Sequence, residues 1–310
     1  MALDPAKFKN MRLPAIAAPL FIISNPDLVI AQCKAGMIGS FPSLNARPIE
    51  QLDEWLTQIN EALDPETDAP YAVNQIVHKS NTRLMEDIGL CVKHKVPIVI
   101  TSLGAVEEVN QAVHSYGGIV LHDIINDRFA HKAIEKGADG LIAVAAGAGG
   151  HAGRLSPFAL IQETRQWFNG PLFLSGSIAS GDSILAAQAM GADGGYIGSA
   201  FIATDEARAS QAYKQGVADG RADDIVYTNL FTGIHGNYLK GSIKAAGLDP
   251  DHLPESDPSK MNFGSTDAKA WKDIWGCGQG IGAIDKVQPA GKLIDQFVAQ
   301  YEAAKARVCG

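Results

Sequence analysis

Short apolar runs alternate with amphipathic stretches from residue 14 to about residue 204. The runs are AIAAPL (15–20), MIGSF (37–41), YAVNQIV (71–77), PIVITSL (97–103), GIVLHDI (118–124), GLIAVAA (140–146), PLFLSGS (171–177) and GGYIGSAF (194–201). Several are rich in Val and Ile, the pattern of strands buried on both faces of a parallel sheet. Between them the apolar spacing turns helical. Over 49–63 the apolar positions are 49, 52, 55, 56, 59 and 63, one face of a helix. Residues 26–34, 82–93, 105–114, 127–136, 157–168 and 182–190 read the same way. Ser24 or Asn25 is placed to cap the first of these, and Pro157 after Ser156 marks a helix start.

Several runs are introduced by glycine, the expected left-handed stop of a helix before a short loop. KGADG (136–140) and MGADG (190–194) are near copies and read as equivalent junctions in successive units. Strictly alternating strand and helix with short connections predicts an all-parallel sheet. About eight such units fit a closed α/β barrel of the TIM (β/α)₈ type, with an open doubly wound sheet as the alternative. The rhythm breaks after Thr204. The expected organisation is a barrel over 1–204 and 270–310, with a small, mainly helical cap over 205–269 inserted after the eighth strand. A polar helix is expected over 205–219. A Gly-rich loop, WGCGQGIGAID (275–285), and a final amphipathic helix close the chain.

Composition changes this picture little. The chain has 310 residues and a formal charge of −8, with no run of five clustered Lys or Arg, so a nucleic-acid partner is not expected. Cys33, Cys91, Cys277 and Cys309 show neither CxxC pairing nor zinc spacing, which fits reduced thiols and a cytoplasmic protein. No apolar run reaches the length of a membrane span. The expected partners are a small-molecule substrate and an electron acceptor, with a homodimer as an open option.

Two loops point to a phosphate-bearing ligand. Ser175-Gly176-Ser177 ends the seventh run and Gly198-Ser199 lies in the eighth. On this fold, phosphates sit at the loops after strands seven and eight, held by backbone N–H groups and hydroxyls. The alternative is a pair of ordinary tight turns. The third signal is AAGAGGHAGRLSP (145–157), where Gly150 precedes His151 at the C-terminal end of the sixth run. Imidazole exchanges protons near neutral pH, and glycine gives it little steric cover. A turn histidine facing water is the competing reading, and no metal site is expected. Ala18-Pro19-Leu20 and Asn74-Gln75 end the first and third runs, where backbone and amide groups suit the edge of a heterocycle. His122 and Asp123 also end a strand, but neighbouring strand residues face opposite ways, which argues against a working dyad. His235 and Lys240 lie in the cap without an assigned role.

Together these segments resemble the nitronate monooxygenase family, formerly the 2-nitropropane dioxygenases. The likeness rests on AAPLFIISNPDLVIAQCKAGMIGSF (17–41), AVNQIV (72–77), GAGGHAG (147–153), SGSIASG (175–181), GADGGYIGSAFIAT (191–204) and WGCGQGIGAI (275–284). The resemblance implies a non-covalent FMN at the barrel mouth. Ala18, Pro19 and Leu20 would underlie its ring, and Asn74 and Gln75 would meet its edge or ribityl chain. Ser175, Gly176, Ser177, Gly198 and Ser199 would hold the phosphate. Gln279 and Gly280 would return from the C-terminal loop, with Gly150 beside them and His151 as the active-site histidine. Three positions depart from the pattern. Ser177 and Ser199 stand where many relatives have Gly and Thr, and many carry a Lys near the position of Asp123. The segment FTGIHGNYLKG also differs, which leaves the substrate open.

The implied activity is oxidation of alkyl nitronates or nitroalkanes with molecular oxygen. His151 would hold the anion if protonated, or remove the α-proton if neutral. An NAD(P)H-dependent flavin reductase of quinones or enoyl thioesters on the same barrel is the first alternative. A flavin-free phosphate-binding barrel, an isomerase or aldolase, is the second.

Overall fold

The computed structural model describes residues 3, 4, 6–256 and 273–310. Eight parallel strands, β1 (Ala15–Ala17), β2 (Gly39–Pro42), β3 (Tyr71–Ile76), β4 (Ile98–Ser102), β5 (Ile119–Ile124), β6 (Gly140–Val144), β8 (Leu172–Ser175) and β9 (Gly194–Ile197), form one sheet in the order β1-β9-β8-β6-β5-β4-β3-β2. A parallel bridge between Ile16 and Ile38 joins the two ends, and the Ala17 N–H donates to the Ile38 carbonyl at 2.8 Å. The sheet is thereby closed, and the open-sheet alternative falls. The connecting helices are α1 (Pro26–Lys34), α2 (Glu50–Ala62), α3 (Leu84–Lys93), α4 (Glu107–His114), α5 (Asp127–Glu135), α6 (Pro157–Arg165), α7 (Gly181–Ala189) and the single turn α8 (Ser199–Ile202).

The period of two along each strand sorts side chains into two cores. Ile98, Ile100, Ile119, Leu121, Ile142 and Phe173 fill the barrel, and Phe8 from the N-terminal segment plugs its base against Phe173, with ring centroids 5.8 Å apart. Val73, Val99, Val120, Leu141 and Leu174 point outward against the helices. Each fully buried aliphatic side chain contributes roughly 1.5–3 kcal/mol. The base is therefore sealed, and the strand ends at the opposite face are left for polar residues.

Asn25 caps α1, accepting from the N–H groups of Asp27 and Leu28, with Pro26 in the first turn. Ser24 has another task, accepting from the Leu20 N–H at 2.9 Å. The eighth apolar run proves to be two elements, because the strand stops at Ile197 and α8 follows Gly198. After β9 come α9 (Gln211–Asp219), β10 (Ile225–Thr228), β11 (Gly236–Leu239) and α10 (Lys240–Ala245), and the chain ends in α11 (Ala290–Cys309). The polar helix expected over 205–219 is thus only its second half. The mixed stretch beyond it is a hairpin, β10–β11, within the insertion expected to be mainly helical. The hairpin lacks a helical period, and its pairing partner is remote: β11 pairs antiparallel with the two-residue strand β7 (Gly150–His151). The expected boundary at 269–270 lies outside the described residues. No described helix is long and apolar enough to cross a membrane.

Candidate active site

The C-terminal ends of the barrel strands surround a cavity of about 620 Å³. Ala18, Pro19, Leu20, Asn74, Gly150, His151, Ser175, Gly176, Ser177, Gly198, Ser199 and Gly280 all line it. Residues up to 262 positions apart in the chain meet here because eight successive strands end on one face.

Two expected residues fall outside. Gln75 is a correction for its side chain: one position on from Asn74, it faces the helices. There it accepts from the Ser43 hydroxyl at 3.0 Å and donates to the Cys91 sulfur at 3.4 Å, fully buried. Asn74 and Gln75 cannot both face the mouth, since strand side chains alternate. Gln279 is exposed and does not line the cavity, although its N–H donates to the Gly147 carbonyl at 2.9 Å and so fixes the C-terminal loop. Gly278 and Gly280 on either side of it do line the wall. The loop approaches so closely that a Cβ on Gly278 would lie 2.4 Å from the Gly147 oxygen.

The turn after β8 is a tight one that opens on the cavity. Gly176 has φ +131° and a Cβ there would meet the Ala146 oxygen at 2.7 Å, so glycine is required. Ser177 follows at φ +57°. Among the described residues, the backbone N–H groups of Gly176, Ser177 and Gly198 make no hydrogen bond within the chain. Gly176 is buried and Gly198 half-buried, where backbone donors are normally paired, so these two are donors in want of an acceptor, while Ser177 stands open to solvent. Helix α7 adds no open N-terminus. Ser180 and Ser183 form a capping box, and the Gly181 N–H donates to Gln300 Oε1 at 2.9 Å. The Ser199 hydroxyl accepts from the Gly278 N–H at 2.8 Å and ties the C-terminal loop to the end of β9. These glycines and hydroxyls fit a phosphomonoester.

His151 is half-buried in the cavity wall, carried by β7 and held by the cap. Its Nε2 lies 2.9 Å from the Thr232 Oγ1, whose own proton goes to the Ile234 carbonyl at 3.0 Å. Thr232 thereby fixes the orientation of the ring in the cavity wall. Burial pushes the pKa of His151 down to about 4, because desolvation disfavours the cation. At neutral pH the ring is an uncharged base. Thr232 is a site residue that the sequence did not reveal. It sits 81 positions from His151, in the segment FTGIHGNYLKG that departs from the family pattern, and no local motif signals the contact.

The other polar strand ends divide by face. Asp123 continues the inward series Ile119, Leu121, and His122 the outward series Val120, Ile124. Thr101 Oγ1 lies 2.6 Å from His122 Nδ1, whereas the Ser102 hydroxyl donates to Asp123 Oδ2 at 2.5 Å. No dyad forms. Burial pushes His122 down to about 4, helped by the Lys132 charge, and pushes Asp123 up to about 7, with the Ser102 bond opposing. His235 does not line the cavity and stacks on Tyr227 with centroids 5.0 Å apart, and Lys240 pairs with Asp251 at 3.2 Å. Cys33, Cys91 and Cys277 are buried free thiols. No group of three potential metal ligands occurs among the described residues.

A nitronate monooxygenase family model matches residues 5–300. The chain belongs to the nitronate monooxygenase family. A nitronate monooxygenase of Paraburkholderia phytofirmans is 27% identical, over 92% of this chain and 91% of that protein. Among solved structures, a nitroalkane oxidase from Streptomyces ansochromogenes superposes with a TM-score of 0.82 at 22% identity, covering 96% of this chain and 99% of that one. FabK from Thermotoga maritima gives 0.79 at 22% identity, covering 97% and 96%. These two structures share the closed barrel. By its family the chain is an oxidoreductase, and the family is flavin-dependent.

Proposed function

We propose that this protein binds FMN at the barrel mouth and oxidises alkyl nitronates and nitroalkanes with molecular oxygen. The observation that carries the reading is one cavity that holds both the turn at Gly176, whose buried N–H has no partner within the chain, and a neutral imidazole at His151. FMN, when bound, supplies the electron acceptor and passes electrons to oxygen. The protein supplies placement and electrostatics.

Gly176, Ser177, Gly198 and Ser199 hold the phosphate. Ala18, Pro19 and Leu20 form the wall beneath the ring, and Asn74 meets its polar edge. His151, oriented by Thr232, takes the α-proton of a nitroalkane on its neutral ring. A neutral base favours proton abstraction over electrostatic capture of a preformed nitronate, which would need the imidazolium. Tyr213 from the cap donates to the Gly276 carbonyl at 2.6 Å and stacks on Trp275, centroids 4.8 Å apart, so the cap holds the C-terminal loop over the mouth.

The purified protein is expected to be yellow and to release FMN on denaturation. Mixed anaerobically with nitroethane or its nitronate, its flavin absorbance should bleach without any nicotinamide. Bleaching by NADH or NADPH alone, with none by the nitro compound, would overturn the reading. One observation favours a second reading. Ile22, Ile125 and Phe129 line the mouth and stay 37%, 40% and 43% exposed, an apolar rim wider than a two-carbon nitroalkane needs. It suits the NAD(P)H-dependent reduction of a quinone or enoyl thioester, which the same experiment separates.

A further inference from the structure

Across the inner faces of β3, β4 and β5 runs a chain of polar side chains. Both Asn74 Nδ2 protons are used, one to the Ile100 carbonyl at 3.2 Å and one to the Ser102 hydroxyl at 2.8 Å. Ser102 in turn donates to Asp123 Oδ2. The chain stops there. Asp123 Oδ1 is shut away from water and has no hydrogen-bond partner. Asp123 also takes part in no ion pair among the described residues, yet it lines the same cavity as His151. A carboxylate so placed has one oxygen without water, donor or counter-charge, which is costly.

The charged and titratable groups around it do not supply the missing charge. His151 on β7 and His122 on β5 are neutral by burial. Tyr196 on β9 is a buried phenol whose pKa is raised well above its usual value by burial and then by Asp123 itself. Lys132 on α5 and Arg47 in the loop after β2 are exposed at the rim.

We propose that Asp123 is a second proton-holding residue of the site, a neutral carboxylic acid whose ionisation opposes negative charge in the mouth. This rests on the flavin reading above. Nitronates are anions, and a flavin gains electrons on turnover, so the mouth must accommodate negative charge. As the neutral acid, Asp123 permits this. As the carboxylate, it repels. Burial carries its pKa up to about 7, so the change falls within the working range of pH.

The test compares the FMN-loaded wild type with Asp123→Asn, which keeps the shape and cannot ionise. The reduction potential of the bound flavin should coincide at pH 5.5. By pH 8.5 the wild type should lie below the variant, its slope steepening through about pH 7. Equal potentials at both pH values would overturn the proposal. Infrared difference spectra between pH 6 and 8.5 give a readout that needs neither FMN nor turnover. The wild type should lose a protonated-carboxyl band that the variant lacks, and a carboxyl ionised throughout would overturn the proposal. Protein that shows this band but takes up no FMN would refute the flavin reading instead.

Discussion

Two layers of the same barrel strands carry polar residues at neighbouring positions, with opposite consequences. On the inner face, Asn74, Ser102 and Asp123 end in a carboxyl with an unpartnered oxygen beside a cavity. On the outer face, Gln75 sits beneath the helices and is satisfied by Ser43 and Cys91, and Thr101 bonds His122, whose ring also reaches the cavity wall. The residue types are nearly interchangeable between the two sets, so chemistry alone does not separate them. Position does: a shift of one residue along a strand moves a side chain from ligand to scaffold. Among these six residues the unpartnered oxygen lies on the face that meets the cavity.

Substitutions should split along that line. The largest effect is expected at His151. His151→Asn should retain bound FMN and lose about 10²–10⁴-fold in kcat with nitroethane, read by oxygen uptake. Next, Gly176→Val places a side chain against the Ala146 oxygen in a strained backbone. It should weaken FMN binding by roughly 10–100-fold, since strain of this kind costs about 1–3 kcal/mol; flavin fluorescence titration measures it. The pair Asn74→Leu and Gln75→Leu tests the comparison itself. Gln75→Leu should lower unfolding free energy by about 1–3 kcal/mol through the loss of its buried hydrogen bonds with Ser43 and Cys91 and leave the FMN dissociation constant unchanged. Asn74→Leu should do the reverse, raising that constant about tenfold with a smaller loss of stability. If Gln75→Leu were the one to lose FMN, the division by face would be wrong. The smallest effect is expected at His122. His122→Gln should change kcat by less than about twofold, because its ring is bonded to Thr101 and takes no step in the proposed reaction.

The barrel was legible in the sequence because each buried parallel strand is a compact apolar run and each helix keeps its period. The glycine turn after β8 was legible for a similar reason: Ser175-Gly176-Ser177 is local, and the glycine there answers a local backbone demand. His151 stood out between glycines. What stayed hidden depends on long-range pairing. The β10–β11 hairpin has only four residues in each strand, and its register with Gly150-His151, which brings Thr232 to the imidazole, is a tertiary fact. Gln75 was assigned with Asn74 because proximity in sequence outweighed the alternation of strand side chains. Asp123 read as a weak partner for His122, when its bond is to Ser102 on the neighbouring strand and its importance comes from what it lacks.

The central claim is that burial keeps His151 an uncharged base at the mouth. The rate of anaerobic flavin bleaching by neutral nitroethane between pH 4.5 and 6.5 tests it most directly. A base with its pKa held near 4 works throughout that window and fails only below it, so the rate should stay nearly flat from pH 6.5 down to 5. A rate that halves near pH 6.5 and falls tenfold per unit below, as for an ordinary exposed imidazole, would contradict the account.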